Sequence, residues 1–292
     1  MSNHDDGVHR QIYARQILSK AGVSHDARLE KAFATIRRED FVGPPPWLFS
    51  DFNRYKELAS SDPVVLYQDM LVSLNAHRHV NNGMPSLHAG ALHKLGIRDG
   101  ETVVHLGTGS GYYTAIIAEL VGPSGQVIGV EYDGALVERA HQALADYQNV
   151  SVIHADALQW VSTGDEADVI YANFALDHPP APWIDNLAIG GRLLFPFGVP
   201  VADAGSAPAF SRFAAFLMID RRARGFGARF LMPVSFIWAE GQDSVPDGRH
   251  AALTDAFRKR NLSRVRSFRW RQPRAGEEWY GEDEWGLSFD EV

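Results

Sequence analysis

Val103 to Tyr113 reads VVHLGTGSGYY, and the rest of the chain is organised around this stretch. A β-branched pair, Val103-Val104, runs into three alternate glycines, Gly107, Gly109 and Gly111, after which Ile116, Ile117 and Leu120 recur with helical spacing. The pattern is strand, tight turn, helix, with bare backbone that lets a ligand approach closely. A dinucleotide fingerprint needs a further glycine or alanine where this chain has Tyr112 or Thr114, so a pyrophosphate site is disfavoured. A nucleoside without pyrophosphate remains. Twenty residues beyond Gly111, a second strand from Gln126 ends in Glu131, where a carboxylate can accept both ribose hydroxyls. A third strand, Val150 to Ile153, leads to Asp156, so three successive strand ends converge on one crevice.

Working outward, the apolar runs alternate as strands at 103–106, 127–130, 150–153, 167–171 and 192–196, with helices at 114–121 and 135–147. That alternation predicts an α/β, doubly wound, mostly parallel sheet with right-handed crossovers. Two further runs, Phe213 to Ile219 and Phe230 to Trp238, flank a basic turn and read as an antiparallel hairpin closing the far edge of the sheet. Upstream, two amphipathic helices fall between residues 8 and 39, with Asp26 or Ser24 as N-cap of the second, and the Gly43-Pro44-Pro45-Pro46 run ends them. The aromatic stretch Trp47 to Asp62 reads as a helical insertion at the crevice mouth. Polar residues crowd before Pro85, including His77, His79, Asn81 and Asn82; this is either a loop closing over the reacting centre or a plain surface loop. The expected domains are an N-terminal helical and active-site cap segment at 1–85, a ligand-binding domain at 86–240 and a small C-terminal extension at 241–292.

The extension combines one short helix carrying Leu253, Ala256 and Phe257 with possible strands at 265–270 and 285–289. Its basic block, Arg258 to Arg274, precedes an acidic one; the two either offset each other on a solvated surface or steer an anionic ligand. With 292 residues and 45% hydrophobic content, the chain can bury a sizeable core. The absence of cysteine excludes disulfides and thiolate chemistry, and the histidine spacings argue against a metal site. A formal charge of −8 argues against nucleic-acid binding. The polar start and the lack of a long apolar run predict a cytoplasmic protein with no membrane partner.

The ordered set LGTGSGY, IGVEYD, HADAL and GGRLLFPFG resembles the protein-L-isoaspartate O-methyltransferases, as do the upstream helical run RQIYARQILSKAGVSHDARLEKAFATIRREDFV and the segment LYQDM. The likeness covers roughly residues 8 to 240. It implies a Rossmann-like class I methyltransferase that uses S-adenosyl-L-methionine. Cofactor contacts are then implied from His105, Gly107, Thr108, Gly109, Gly111, Glu131 and Tyr132, with Asp156 and Ala157 at the adenine.

Methyl transfer to oxygen is an in-line displacement, so it needs a positioned nucleophile and a dry surround rather than a triad. The acceptor side departs from the family. Where its members have Thr-Ile-Ser-x-Pro, this chain has Asn81-Asn82-Gly83-Met84-Pro85, so Gly83 replaces the active-site serine. His105 stands where an acid is usual, and the loop Asn173 to His178 replaces a small, alanine-rich one. These departures point to a carboxylate of a peptide or protein other than isoaspartate, with His79, Asn82 and His178 near the methyl group. Two alternatives stay open: a small-molecule O- or N-methyltransferase with His79 or His178 as base, and a catalytically inactive cofactor-binding module.

Overall fold

The computed structural model describes residues 3–51, 54–160, 164, 166–200, 210–240 and 248–291. They form two compact units, 1–155 and 156–292. The boundary expected at 241 falls within 241–247, outside the described residues.

In the first unit, helices α1 (Asn3–Lys20), α2 (Ala27–Thr35) and α3 (Glu39–Val42) come first. The carboxylate of Asp26 caps α2 by accepting from the Leu29 amide at 3.1 Å. The stretch expected to be a helical insertion is instead a β-ribbon of β1 (Leu48–Ser50) and β2 (Tyr55–Glu57). Aromatic Phe49 and Tyr55 favour strands, and the Asp51 carboxylate ties the connecting turn through the Arg54 amide. A second ribbon pairs β3 (Ser73–Asn75) with β4 (Val80–Asn81), and α4 (Pro85–Leu95) follows with Pro85 in its first turn.

The parallel core consists of β5 (Thr102–Leu106), β6 (Gln126–Glu131) and β7 (Val150–His154), in that spatial order. Their crossovers are α5 (Tyr112–Val121) and α6 (Gly134–Ala143). All of α5 except Glu119 is buried, as its nearly uniform apolar sequence requires. Arg38, wholly buried, fixes the segment before α4. Its guanidinium donates to the carbonyls of Leu66 (2.7 Å), Gln68 (2.8 Å) and Met70 (2.6 Å) and to Asn82 Oδ1 (3.2 Å).

The second unit holds β8 (Ala167–Ala172), α7 (Ala181–Asp185), β9 (Leu187–Pro200), β10 (Ser211–Arg221), β11 (Phe226–Pro233), α8 (Arg249–Arg258), β12 (Ser267–Trp270), β13 (Glu278–Gly281) and β14 (Trp285–Ser288). Strands β8 and β9 are parallel; the remaining pairs, in the order β9-β10-β11-β12-β14-β13, are antiparallel. The β10–β11 hairpin is therefore not the edge expected of it. The outer side of β11 would expose unpaired amides, and β12 takes them up at Gly227 opposite Ser267, with the Ala228 amide donating to the Arg266 carbonyl at 2.9 Å.

The extension is built into this unit's core. Phe197 and Phe230 pack against Phe257, Trp279 and Trp285, with Phe230–Trp279 ring centroids 5.1 Å apart and Phe257–Trp279 5.2 Å. Its charges are largely committed as well. Arg269 and Arg274 both meet the buried Glu278 carboxylate, at 2.6 and 2.7 Å, and Arg271 meets Asp185. The offsetting reading of the two charge blocks describes these residues better than the steering one.

Candidate cofactor and acceptor sites

The turn after β5 needs its glycines for two different reasons. Gly107, Gly109 and Gly111 all have positive φ, 74°, 59° and 96°. At Gly111 a Cβ would also lie 2.7 Å from Leu144 Cδ1, just past the end of α6, so a side chain there would have to push that leucine aside. The turn hangs from β6 through the amides of Gly107 and Thr108, which both donate to the Val130 carbonyl.

Glu131, at the end of β6, braces this turn. Its Oε2 accepts from the Gly109 amide at 2.7 Å, and its Oε1 from the Tyr132 and Asp133 amides at 2.9 Å each. The residue is 9% exposed; burial pushes its carboxyl pKa up, and the three backbone donors only partly offset this. A carboxylate offers about four lone-pair positions, and with three amides bound one remains for a ribose hydroxyl. Asp133 caps α6 and pairs with Arg78, while the Tyr132 ring is exposed. Thr108 is buried, with its hydroxyl donating to the His105 carbonyl at 3.0 Å, and the buried hydroxyl of Ser110 has no protein partner. A bare backbone cradle, an acceptor-rich carboxylate beside it and an unspent hydroxyl together fit the amino acid and ribose portions of S-adenosylmethionine.

His105 does not join this group. Its ring is wholly buried, and Nδ1 is 2.8 Å from Thr114 Oγ1 on α5, so it offers no side-chain surface to a ligand. The strand's period of two explains this: His105 points into the helix-packed side.

Of the acceptor residues expected in the first unit, His79 has left-handed backbone (φ 54°) where the turn before β4 closes, and its ring lies 5.9 Å from that of Tyr55. Asn82 is a buried strut more than an open contact. Its Oδ1 accepts from the Val72 amide (3.0 Å) and from Arg38, leaving Nδ2 without a partner.

The sequence reading missed His88. Gly83 has φ 72°, and a Cβ built on it would stand 2.1 Å from His88 Nε2. The imidazole thus fills the space that a side chain at position 83 would occupy. It stacks on Tyr113 at 3.8 Å and 17°, and the Tyr113 hydroxyl donates to the Gly83 carbonyl at 3.2 Å. Burial foremost, then the neighbouring His105 and Arg38, depresses the His88 pKa to about 3, so the ring is neutral at physiological pH. Nothing in sequence spacing marks a residue five positions on, the fourth of the next helix, as the neighbour of this glycine.

In the second unit, Asp156 is half-buried and its Oδ1 accepts from the Leu158 amide at 2.9 Å, which leaves Oδ2 for a ligand amino group. Ala157 is buried, with its carbonyl accepting from Trp183 Nε1 at 2.7 Å. His178 lies at the end of the loop after β8. Its Nδ1 is 2.6 Å from Oδ1 of Asp177, whose side chain is fully buried.

The strand–glycine turn–helix, the acid ending the second strand and the Rossmann-like strand order define an S-adenosylmethionine-dependent methyltransferase. Residues 13–204 match the model of the protein-L-isoaspartate(D-aspartate) O-methyltransferase family, and the chain belongs to that family. It is 36% identical over 185 residues to the protein-L-isoaspartate O-methyltransferase of Methanothermobacter thermautotrophicus, covering 63% of this chain and 77% of that protein. With the enzyme of the same name from Korarchaeum cryptofilum it shares 31% identity over 236 residues, 77% of this chain and 94% of the other. Among solved structures, a protein-L-isoaspartate O-methyltransferase superposes with a TM-score of 0.63 at 24% identity, over 89% of this chain and 72% of its own. A Plasmodium falciparum protein described as a protein-L-isoaspartate O-methyltransferase, in complex with S-adenosyl-L-homocysteine, gives 0.60 at 19% identity, over 80% and 99%. Both likenesses show the fold.

Proposed function

We propose that this chain methylates a carboxylate of a peptide or protein, and that the carboxylate is not the isoaspartyl group of housekeeping repair. The observation behind this reading is the pair Gly83 and His88. At the position aligned with the family's active-site serine there is no side chain, the backbone is left-handed, and a buried neutral imidazole fills the vacated space. The acceptor side is rebuilt in a way that one reversion cannot undo.

The cofactor residues of this reading are Gly107, Thr108, Gly109, Gly111, Glu131 and Tyr132 in the first unit, and Asp156 and Ala157 in the second. Bound there, S-adenosylmethionine supplies an electrophilic methyl group. The chain's own residues orient the nucleoside and hold the acceptor oxygen in line. In this reading residues 1–85 are the cap segment and 86–240 the cofactor domain, with His79, in the first unit, and His178, in the second, as candidate catalytic residues. No described helix is long and apolar enough to cross a membrane. The test is incubation with methyl-labelled S-adenosylmethionine and Asp- or Glu-containing peptides. Base-labile label identifies an ester and supports the reading; base-stable label alone defeats it.

A further inference from the structure

The polar segment ahead of Pro85 lies against the glycine turn of its own unit. It starts from an apolar anchor, since Leu74 on β3 packs against the cluster of Val42, Trp47, Leu66 and Val72. The Cβ that Gly109 lacks would stand 3.5 Å from Leu74 Cδ1, so β3 is in van der Waals reach of the turn. Beyond β3 the chain makes a 3-10 turn, Ala76–Arg78, in which Asn75 Oδ1 accepts from the Arg78 amide at 3.3 Å. The tip then reaches the start of α6, where the Arg78 guanidinium forms an ion pair with Oδ2 of Asp133. On the side of β2, the Tyr55 hydroxyl donates to the His79 carbonyl at 3.2 Å.

These contacts flank Glu131. Its carboxylate accepts from the Gly109 amide through one oxygen and from the Asp133 amide through the other. The ribbon touches the same two residues, Gly109 through Leu74 and Asp133 through Arg78, and so bridges the groups that hold the acid. The two ends of the bridge are held differently. Leu74 belongs to an apolar cluster, whereas Arg78, with its side chain 39% exposed, secures the tip by charge. The other Asp133 oxygen, Oδ1, is spent as N-cap of α6, accepting from the Ala135 and Leu136 amides at 2.8 and 3.3 Å. The positive end of α6 would repel a guanidinium by itself, so the Asp133 charge is what keeps Arg78 there.

We propose that Arg78 is a positioning residue of the cofactor site that acts through Asp133: their ion pair straps the β3–β4 ribbon across Glu131, and S-adenosylmethionine enters, and S-adenosylhomocysteine leaves, when the strap lifts. The run His77-Arg78-His79 is then part of a loop that closes over the cofactor, and its arginine is the fastening. A strap that must lift for passage in either direction slows entry and exit alike, and it leaves the equilibrium affinity nearly untouched.

The inference rests on the placement of the cofactor at Glu131 and is independent of the acceptor. S-adenosylhomocysteine, which carries no net charge, is the probe, and surface plasmon resonance on the full-length protein reads its association and dissociation rates. Arg78→Gln should raise both rates about 3- to 5-fold, as loss of a part-exposed ion pair allows, with Kd within about 2-fold of wild type. Asp133→Asn keeps a helix cap and loses the charge, so it should have the same effect, and the double variant should add nothing to either single one. Arg78→Lys should return both rates most of the way to wild type. Raising the salt from about 0.05 to about 0.5 M should speed exchange in the wild type and leave Arg78→Gln unaffected, a response that a purely structural role would not give. Wild-type rates in Arg78→Gln would overturn the strap, and so would faster release without faster entry, which would make the ribbon a contact of the bound state. Unaltered affinity in Glu131→Ala would defeat the cofactor placement itself, whereas weakened binding there beside wild-type exchange in Arg78→Gln would defeat the strap alone.

Discussion

Gly83→Ser restores the side chain that the family carries, and the structure says it will damage this protein. Two costs can be separated. A non-glycine residue at φ 72° costs roughly 1–2 kcal/mol. The new Cβ would also sit 2.1 Å from His88 Nε2, inside any allowed contact, and forcing that ring away from its stack on Tyr113 adds roughly 1–3 kcal/mol of overpacking. The sum, about 3 kcal/mol, should lower Tm by roughly 6–12 °C. Adding His88→Ala removes the clash but not the dihedral cost. The double variant should therefore be more stable than the two single losses predict, with a coupling of about 1–2 kcal/mol. Urea denaturation of wild type, both single variants and the double variant closes this cycle. A Gly83→Ser protein melting within about 2 °C of wild type, or a coupling near zero, would show that His88 does not occupy the serine's place.

Glu131→Ala should weaken S-adenosylhomocysteine binding at least about 10-fold by calorimetry, since a charge-assisted bond of roughly 1.5–3 kcal/mol to the ribose is lost together with the brace on the Gly109 amide. Unaltered affinity would remove Glu131 from the site. His88 should shape the acid limb of stability. Its folded pKa of about 3 lies below the ordinary 6.5, so the unfolded chain takes up a proton first as pH falls. Its contribution is complete above pH 6.5 and lost between 6.5 and 3, with a slope of up to about 1.4 kcal/mol per pH unit. His88→Phe, which keeps an aromatic face on Tyr113, should flatten that limb in urea titrations from pH 4 to 7; parallel curves would contradict it. Truncation after Gln242 removes Leu253, Phe257, Trp279, Trp285 and Leu287, all buried. At roughly 1.5–3 kcal/mol each, this approaches or exceeds the whole stability of an ordinary domain. The shortened chain should be insoluble or molten, and a soluble, cooperatively folding product would show the extension to be separable.

The strand, the glycine turn and the acid beside it are legible because they depend on local rules. Alternate glycines force a turn, β-branched runs make strands, and Glu131 ends its strand beside that turn, where it accepts from the Gly109 amide. The acceptor half depends on contacts between distant residues. Asn82 lies in a polar loop, yet its oxygen is held by Arg38, 44 positions away. The family resemblance puts His105 at the cofactor, while the strand's alternation turns its ring inward. Asp177 and His178 are adjacent in the sequence, whereas nothing there shows that His250 pairs with Asp177. In the extension the helix and two strands follow the apolar spacing, whereas β13, with charged Glu278 paired to Arg269, has no strand-like alternation to read.

Methyl transfer to a carboxylate other than isoaspartate is tested most directly by a single competition. The full-length protein is given methyl-labelled S-adenosylmethionine, an isoaspartyl peptide and a matched library of Asp- and Glu-containing peptides, and mass spectrometry with base treatment reads where the label resides. Base-labile label should appear on the library peptides, with little on the isoaspartyl peptide. Isoaspartyl turnover outpacing every library member, or label that survives base, would contradict it.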